Sequence, residues 1–237
     1  MTYDFDEGTD ARTAARDDGL TPLHRAAMAA DAARFERLLE EGAALEARDR
    51  WGRTPLLTLC HYAHPPETAS ALAARPLRQR PAFADAMQTL GLALLWEAEV
   101  DVLAHNGHAP LHVVALRAAS EMLEMLLDAG ANPGLADLRR YTPLHAAASG
   151  GDVACVERLL AAGAVLDRQD HAGFTPLHCA CLAGRTAVAH LLLRRGADPS
   201  RTIIRGFGTA RPGMTAVDLA EAAGFDLGVG YMSTRCG

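Results

Sequence analysis

Histidine is the residue type of this 237-residue chain that is best suited to chemistry, since its ten imidazoles could bind metal ions or transfer protons. Four of them share one setting and follow the dipeptide Pro-Leu, namely His24, His112, His145 and His178. A side chain that recurs periodically in one setting is typical of a structural role, because every unit then uses it in the same way. We therefore expect these four side chains in the core, committed to folding.

A second group of histidines, His61, His64, His105 and His108, lies outside this pattern. Imidazoles brought together from neighbouring units would suit a zinc ion. No cysteine or carboxylate is spaced so as to complete a closed site. Contact with a partner is therefore the favoured interpretation, a loop position without a specific role is the second, and a metal site is the third.

Motifs that would organise catalysis are missing from the sequence. It contains no Gly-x-Ser-x-Gly turn, no glycine-rich phosphate loop and no His-Glu-x-x-His zinc motif. Ser149 follows His145 by four residues and would share a helix face with it, but His145 is expected in the core. We predict a protein that is not an enzyme and that uses no cofactor or metal.

The elements that must position these side chains repeat along the chain. Thr-Pro-Leu-His occurs at Thr142 and again at Thr175, 33 residues later, and the same interval separates Thr21 from Thr54. In each unit the threonine can cap a helix, and the proline suits the first helical position. Gly163 stands where a second helix would end in a left-handed conformation. Helices this short are not stable alone, so neighbouring units must hold one another.

This unit, with Gly-Ala after its second helix, resembles the ankyrin repeat. The resemblance covers about residues 17–227 and implies an all-α fold, an ankyrin-type helix-turn-helix solenoid with β-hairpin-like loops and about six repeats. It also implies that the motif histidine bonds backbone groups between neighbouring loops. We place the repeats at about 17–48, 49–103, 104–136, 137–169 and 170–202, with a partial C-terminal capping repeat at 211–227.

Two insertions and two tails interrupt or flank this array. The first insertion, at about 63–82, contains prolines that forbid one continuous helix, although a short helix over about 66–74 is compatible with them. The second is a loop over 201–212. Both contain several arginines, and we expect at least one to contact a partner. Residues 1–16 are expected to form an acidic flexible tail, and 228–237 a second tail.

Single residues also depart from the repeat pattern. Leu57 replaces the motif histidine, and Glu97 lies near a turn that lacks its usual glycine. Ala109 replaces the capping threonine, which predicts the loss of an N-cap worth about 0.5–2 kcal/mol. Arg140 occupies the usual hairpin glycine position, which predicts a left-handed conformation that a non-glycine residue adopts only with support.

Composition and charge narrow the protein class. The formal net charge is −6, which argues against a general nucleic-acid binder, and no apolar run is long enough for a membrane span. The acidic start does not resemble a secretory signal. Four of the five cysteines fall within predicted helices, so buried reduced thiols and a cytoplasmic location are expected. All 23 basic residues are arginine, a composition typical of a GC-rich, bacterial genome.

The resemblance also implies a binding surface made of hairpin tips and the exposed face of each first helix, on the concave side. Counted from each Thr-Pro, these positions are rich in aromatic residues and arginine, the types that dominate binding hot spots. They are Arg50, Trp51, Arg53, His61, Tyr62, His105, Asn106, His108, Leu116, Arg117, Leu138, Arg139, Tyr141, Ser149, His171, Phe174 and Leu182.

These positions contain arginines but no carboxylate, so the predicted partner is a protein with an acidic surface. Packing between tips is the alternative role for residues just before the threonine, such as Tyr141 and Phe174. We expect a non-catalytic interaction module, monomeric on its own. A toxin-neutralising or immunity-type protein, a regulator of an enzyme and an exported effector remain alternatives, and a metal-binding protein using loop histidines is a further one.

Overall fold

The computed structural model describes residues 18–62 and 81–228, which form eleven α-helices. In chain order these are α1 (Pro22–Met28), α2 (Ala32–Glu40), α3 (Pro55–Tyr62), α4 (Pro81–Leu95), α5 (Pro110–Leu116), α6 (Ser120–Asp128), α7 (Pro143–Gly150), α8 (Val153–Ala161), α9 (Pro176–Leu182), α10 (Thr186–Arg194) and α11 (Ala216–Ala222). Within those two ranges β-structure is limited to two isolated bridges, Thr202 with Thr215 and Phe207 with Ala210.

Several sequence expectations fall on other parts of the chain. The acidic tail over 1–16 lies outside the described residues, as does nearly all of the tail over 228–237. The greater part of the 63–82 insertion, its possible short helix and His64 lie outside them as well.

The helices form two parallel rows. An inner row runs α1, α3, α5, α7, α9, α11, and an outer row runs α2, α4, α6, α8, α10; each helix contacts its neighbours in its own row. Inner and outer helices of one repeat also contact each other, for example α7 with α8. One continuous core of leucine, alanine, valine and cysteine lies between the rows. This arrangement confirms the all-α solenoid.

Local sequence explains where the inner helices begin. The hydroxyl of Thr21 accepts a hydrogen bond from the backbone N–H of His24 at 3.3 Å, and Thr175 accepts one from His178 at 3.4 Å. Ala109 has the same extended conformation before α5 but makes no side-chain cap. The predicted loss of a cap at this repeat is therefore confirmed.

Left-handed residues end the helices and turn the hairpins. Gly163 and Gly196 have φ values of 95° and 92°, as expected. Glu97, at φ 59°, turns the chain after α4, where the equivalent residue of other repeats is glycine. Arg140, at φ 64°, has the left-handed conformation that its position predicts.

Three of the motif histidines, His24, His112 and His145, join neighbouring repeats through hydrogen bonds. Their Nε2 atoms lie 2.9 Å from the carbonyl oxygen of Arg53 for His24, and 3.1 Å from that of Phe174 for His145. The Nδ1 atom of His145 accepts from the N–H of Thr142 at 3.1 Å, so Nε2 carries the proton and donates to the next loop. All four motif histidines are buried, which confirms their structural role.

The second insertion lengthens the last hairpin. The N–H of Ile203 donates to the carbonyl of Met214 at 3.0 Å, and that of Gly213 donates back to Ile203 at 2.8 Å. Ile204 lies 33 residues after His171 and continues the hairpin pattern, so the extra residues protrude between Ile204 and Gly213.

Candidate functional site

The hairpin tips follow one another along the array, and backbone hydrogen bonds join several of them. The N–H of His105 donates to the carbonyl of Trp51 at 2.8 Å, and the N–H of His171 donates to Arg139 at 2.9 Å. The N–H of Ile204 continues the series to Ala172 at 2.8 Å. We call the hairpin residues around these bonds, 49–53, 104–108, 137–141, 170–174 and 203–213, the tip row.

Aspartates of the tip row point inward. Asp49 Oδ1 accepts from two backbone N–H groups, those of Trp51 and Arg53, both at 2.9 Å. Asp137 and Asp170 make the same pair of bonds in their own hairpins at 2.7–2.8 Å. The carboxylates therefore stabilise their own turns. The exposed charged side chains of these hairpins are arginines, such as Arg50 and Arg139.

Two of these aspartates differ in pKa because their neighbours differ. Burial alone would raise the pKa of Asp137, but His108 and the N–H groups of Tyr141 and Arg139 outweigh it and hold the value below its ordinary range. Burial raises the pKa of Asp170 despite similar N–H bonds. His108, with its Nε2 3.6 Å from Asp137 Oδ2, lowers the pKa of Asp137, and the charge of Asp137 contributes to the raised pKa of Asp170.

Trp51 lies between two guanidinium groups. The Arg50 Cζ atom is 4.0 Å from the Trp51 ring centroid, and the Arg53 Cζ atom is 4.2 Å from it. Arg53 also lies 5.4 Å from the Tyr62 ring and donates from Nε to Asp49 at 2.7 Å. Because Arg53 is only 9% exposed, it positions the indole, while the exposed Arg50 is the guanidinium that faces solvent.

His61 lies beside Tyr62 at the end of α3. Its ring meets that of Tyr62 edge-on at 5.1 Å. Burial, followed by the charges of Arg117 and Arg53, lowers the pKa of His61 to about 4. The imidazole is therefore neutral at pH 7, and the positive charge around it comes from arginine.

The loop histidines lie against different neighbours. The His105 ring covers Gly52 so closely that a β-carbon added there would lie 2.5 Å from His105 Cδ2. His108 stacks on His112 with their centroids 5.7 Å apart. Within residues 18–62 and 81–228, no three His, Cys, Asp or Glu side chains converge as metal ligands would.

The other predicted surface residues divide by burial. Tyr141 is half-buried, its ring lies tilted against that of His145 with the centroids 5.0 Å apart, and its hydroxyl shares a hydrogen bond with Ser149 at 3.0 Å. Phe174 is only 6% exposed and belongs to the core, so packing is its role here. The half-buried ones are Leu116 and Leu182 at the ends of inner helices and Arg117 directly after one, and those exposed on the tips are His105, Asn106, Leu138, Arg139 and His171.

Sequence reasoning missed exposed apolar residues at the end of the tip row. Ile204 is 65% exposed and Phe207 41% exposed, both in the lengthened hairpin. They add to the predicted Leu138, which is 68% exposed two hairpins earlier in the row. The missed signal is the 33-residue interval from His171 to Ile204. Counting back from Thr215 instead places the tip of this hairpin seven residues too late.

Comparison with protein families agrees with the repeat pattern. Residues 111–203 match a family model described as ankyrin repeats in three copies, and residues 18–50 match the model of the single ankyrin repeat. Together the two matches cover more than half of the chain. None of the helices in the described ranges is both long and apolar enough to cross a membrane. The chain belongs to the ankyrin-repeat family, and its array is a protein–protein interaction module.

Proposed function

We propose that this module is non-catalytic and binds a protein partner with an acidic surface, along the tip row and the adjoining concave face. The observation that carries the proposal is the direction of charge in the hairpins. Asp49, Asp137 and Asp170 accept backbone N–H groups within their turns, whereas Arg50 and Arg139 are exposed. An acidic partner surface complements such a row.

Trp51 is the proposed anchor of the interface. Its indole is half-exposed and already held between Arg50 and Arg53, so little conformational freedom is lost when a partner covers it. Tryptophan and arginine are the residue types most enriched among energetic hot spots.

A reducing, cytoplasmic location fits the cysteines. Cys60, Cys155, Cys179 and Cys181 are buried free thiols, and burial raises the pKa of Cys60 to about 12. Three classes of acidic partner match the surface: a toxin to be neutralised, an enzyme to be regulated, and a host protein contacted by a bacterial effector.

Affinity capture with surface variants tests the proposal. The triple variant Arg50→Ala, Trp51→Ala, Arg139→Ala removes outward groups of the tip row. Its control, Arg34→Ala with Arg37→Ala, removes two exposed arginines from the outer helix α2. Both should first show the circular dichroism of the parent.

One protein should be captured by the parent and the control and lost from the triple variant. The captured protein, once purified, should bind the parent more weakly as the salt concentration is raised, because salt screens exposed charges. Equal capture by the triple variant and the parent would reject this face as the binding surface. A partner whose affinity is insensitive to salt would reject the acidic-surface part of the proposal.

A further inference from the structure

Glycine occupies one position of nearly every hairpin in the tip row, for a visible reason. Gly52, Gly107 and Gly173 are left-handed, with φ of 75°, 84° and 87°. A β-carbon on Gly107 would lie 2.7 Å from the backbone N of Leu138, and one on Gly173 would lie 2.7 Å from that of Ile204. Each glycine therefore makes room for the next hairpin.

Arg140 is the exception in this series. It takes the same left-handed conformation at φ 64° although it carries a side chain. Outside the tips, the described non-glycine residues with positive φ are Ala30, Glu97 and Ala118, all in turns that follow helices. Strained backbone that persists where glycine would fit is a feature of functional positions.

The surroundings of Arg140 are basic and apolar. Arg139 and Arg140 are both exposed, and neither forms an ion pair within the part of the chain that the structure describes. Exposed Leu138 precedes them, and exposed Ile204 and Arg205 follow two hairpins along the row. The nearby carboxylate of Asp137 is taken by backbone N–H groups and faces inward.

We infer that Arg140, with Arg139 and Leu138 beside it and Ile204 two hairpins along the tip row, binds an acidic segment of the partner in which apolar side chains are interspersed among carboxylates. Guanidinium groups match carboxylates in shape and charge. The exposed leucine and isoleucine favour a segment with apolar side chains over a nucleic-acid backbone. This inference rests on the proposed function and adds the residue and the partner chemistry that define this part of the surface.

The decisive variant is Arg140→Gly, because it should change stability and binding in opposite directions if Arg140 has a role in binding. Glycine removes the strain, so the melting temperature should rise by about 2–4 °C. The same substitution removes the charge, so binding should weaken. Glu97→Gly is the matched control, since it relieves similar strain in a turn after an outer helix.

Binding is measured with a fluorescein-labelled twelve-residue peptide that has leucine at every third position and glutamate elsewhere. Two comparison peptides replace the glutamates by lysine or the leucines by serine. We expect the parent and Glu97→Gly to bind the first peptide equally, Arg140→Gly to bind it about tenfold more weakly, and Arg140→Lys to fall between them. Both comparison peptides should bind at least several-fold more weakly than the first.

Equal affinity of Arg140→Gly and the parent would overturn the inference, as would absence of peptide binding at millimolar concentration. A single-stranded oligonucleotide that displaced the peptide at lower concentration than the unlabelled peptide would overturn the choice of a protein segment. Failure of the proposed function gives a different result from failure of this inference. In that case the Arg50, Trp51, Arg139 triple variant would still capture the native partner.

Discussion

Ala109 shows how one residue changes the stability of a repeat without changing its fold. The helix that follows it begins at the same place as its counterparts, because Pro110 and His112 retain their positions. What is missing is one acceptor for the orphan N–H groups of the first turn. The equivalent Thr175 is fully buried, so a threonine side chain fits the corresponding site of another repeat.

Ala109→Thr should therefore stabilise the protein by about 1 kcal/mol, the usual worth of an N-cap. Urea denaturation measures the change, with Thr175→Ala as the reverse substitution that should lose a similar amount. A destabilised Ala109→Thr would mean that its surroundings cannot hold the extra atoms, and the equivalence of the two sites would be wrong.

Arg50 and Arg53 approach the same indole yet should differ in what they contribute to stability. Arg53→Ala leaves the buried Asp49 without its ion-pair partner and should cost about 3 kcal/mol. Arg50→Ala acts at an exposed cation–π contact and should cost about 0.5–1 kcal/mol. Thermal denaturation of the two variants compares them; similar losses would contradict a positioning role for Arg53.

At the scale of the element, buried histidines lie on the inner helices, and His24, His112 and His145 hydrogen-bond these helices to the next hairpin. Burial lowers the pKa of His112, His145 and His178 to about 4, and the pKa of His61 as well. Each is neutral in the folded protein near pH 7. The unfolded chain, whose histidines titrate near 6.5, takes up protons first as the pH falls.

The free energy of unfolding should therefore decrease between about pH 6.5 and pH 4, by up to about 1.4 kcal/mol per pH unit for each of these histidines. His112→Leu, which copies Leu57 of the second repeat, should be less stable at pH 7 and show a shallower decline. His171→Asn alters an exposed histidine and is the control. A decline of unchanged slope in His112→Leu would refute this origin of the pH dependence.

For the whole molecule, stability depends on how many neighbours each helix has. The central inner helices α5 and α7 lie between two inner neighbours and also contact outer helices. Among the helices of the described residues, α11 is the last and has its main contacts with α9. A linear array of this kind opens from its less supported end.

Hydrogen exchange should therefore be slowest in α5 and α7 and fastest in α11. The measurement is amide exchange at pH 7 without denaturant, read for each helix by mass spectrometry of peptic fragments. A low urea concentration should lower protection in α11 before it changes α5 and α7. Equal protection throughout would indicate that the whole array opens in one cooperative step.

The amino-acid sequence by itself determined the repeat interval, the helix starts and the role of the motif histidines. These features depend on local chemistry: a threonine before proline caps a helix, and a glycine takes a left-handed turn. The left-handed Arg140 and the uncapped Ala109 followed from the same rules, because each occupies a position whose backbone conformation the motif already defines.

Only the tertiary structure decided which candidate surface residues are exposed. Arg53 and Phe174 occupy tip positions in the sequence, yet both are buried. Arg53 packs on the Trp51 ring, and Phe174 belongs to the core. The exposure of Ile204 and the inward direction of Asp137 depend on hydrogen bonds within and between hairpins. Such contacts join residues whose geometry is fixed only when the repeats stack, so the spacing of residues along the chain could not reveal them.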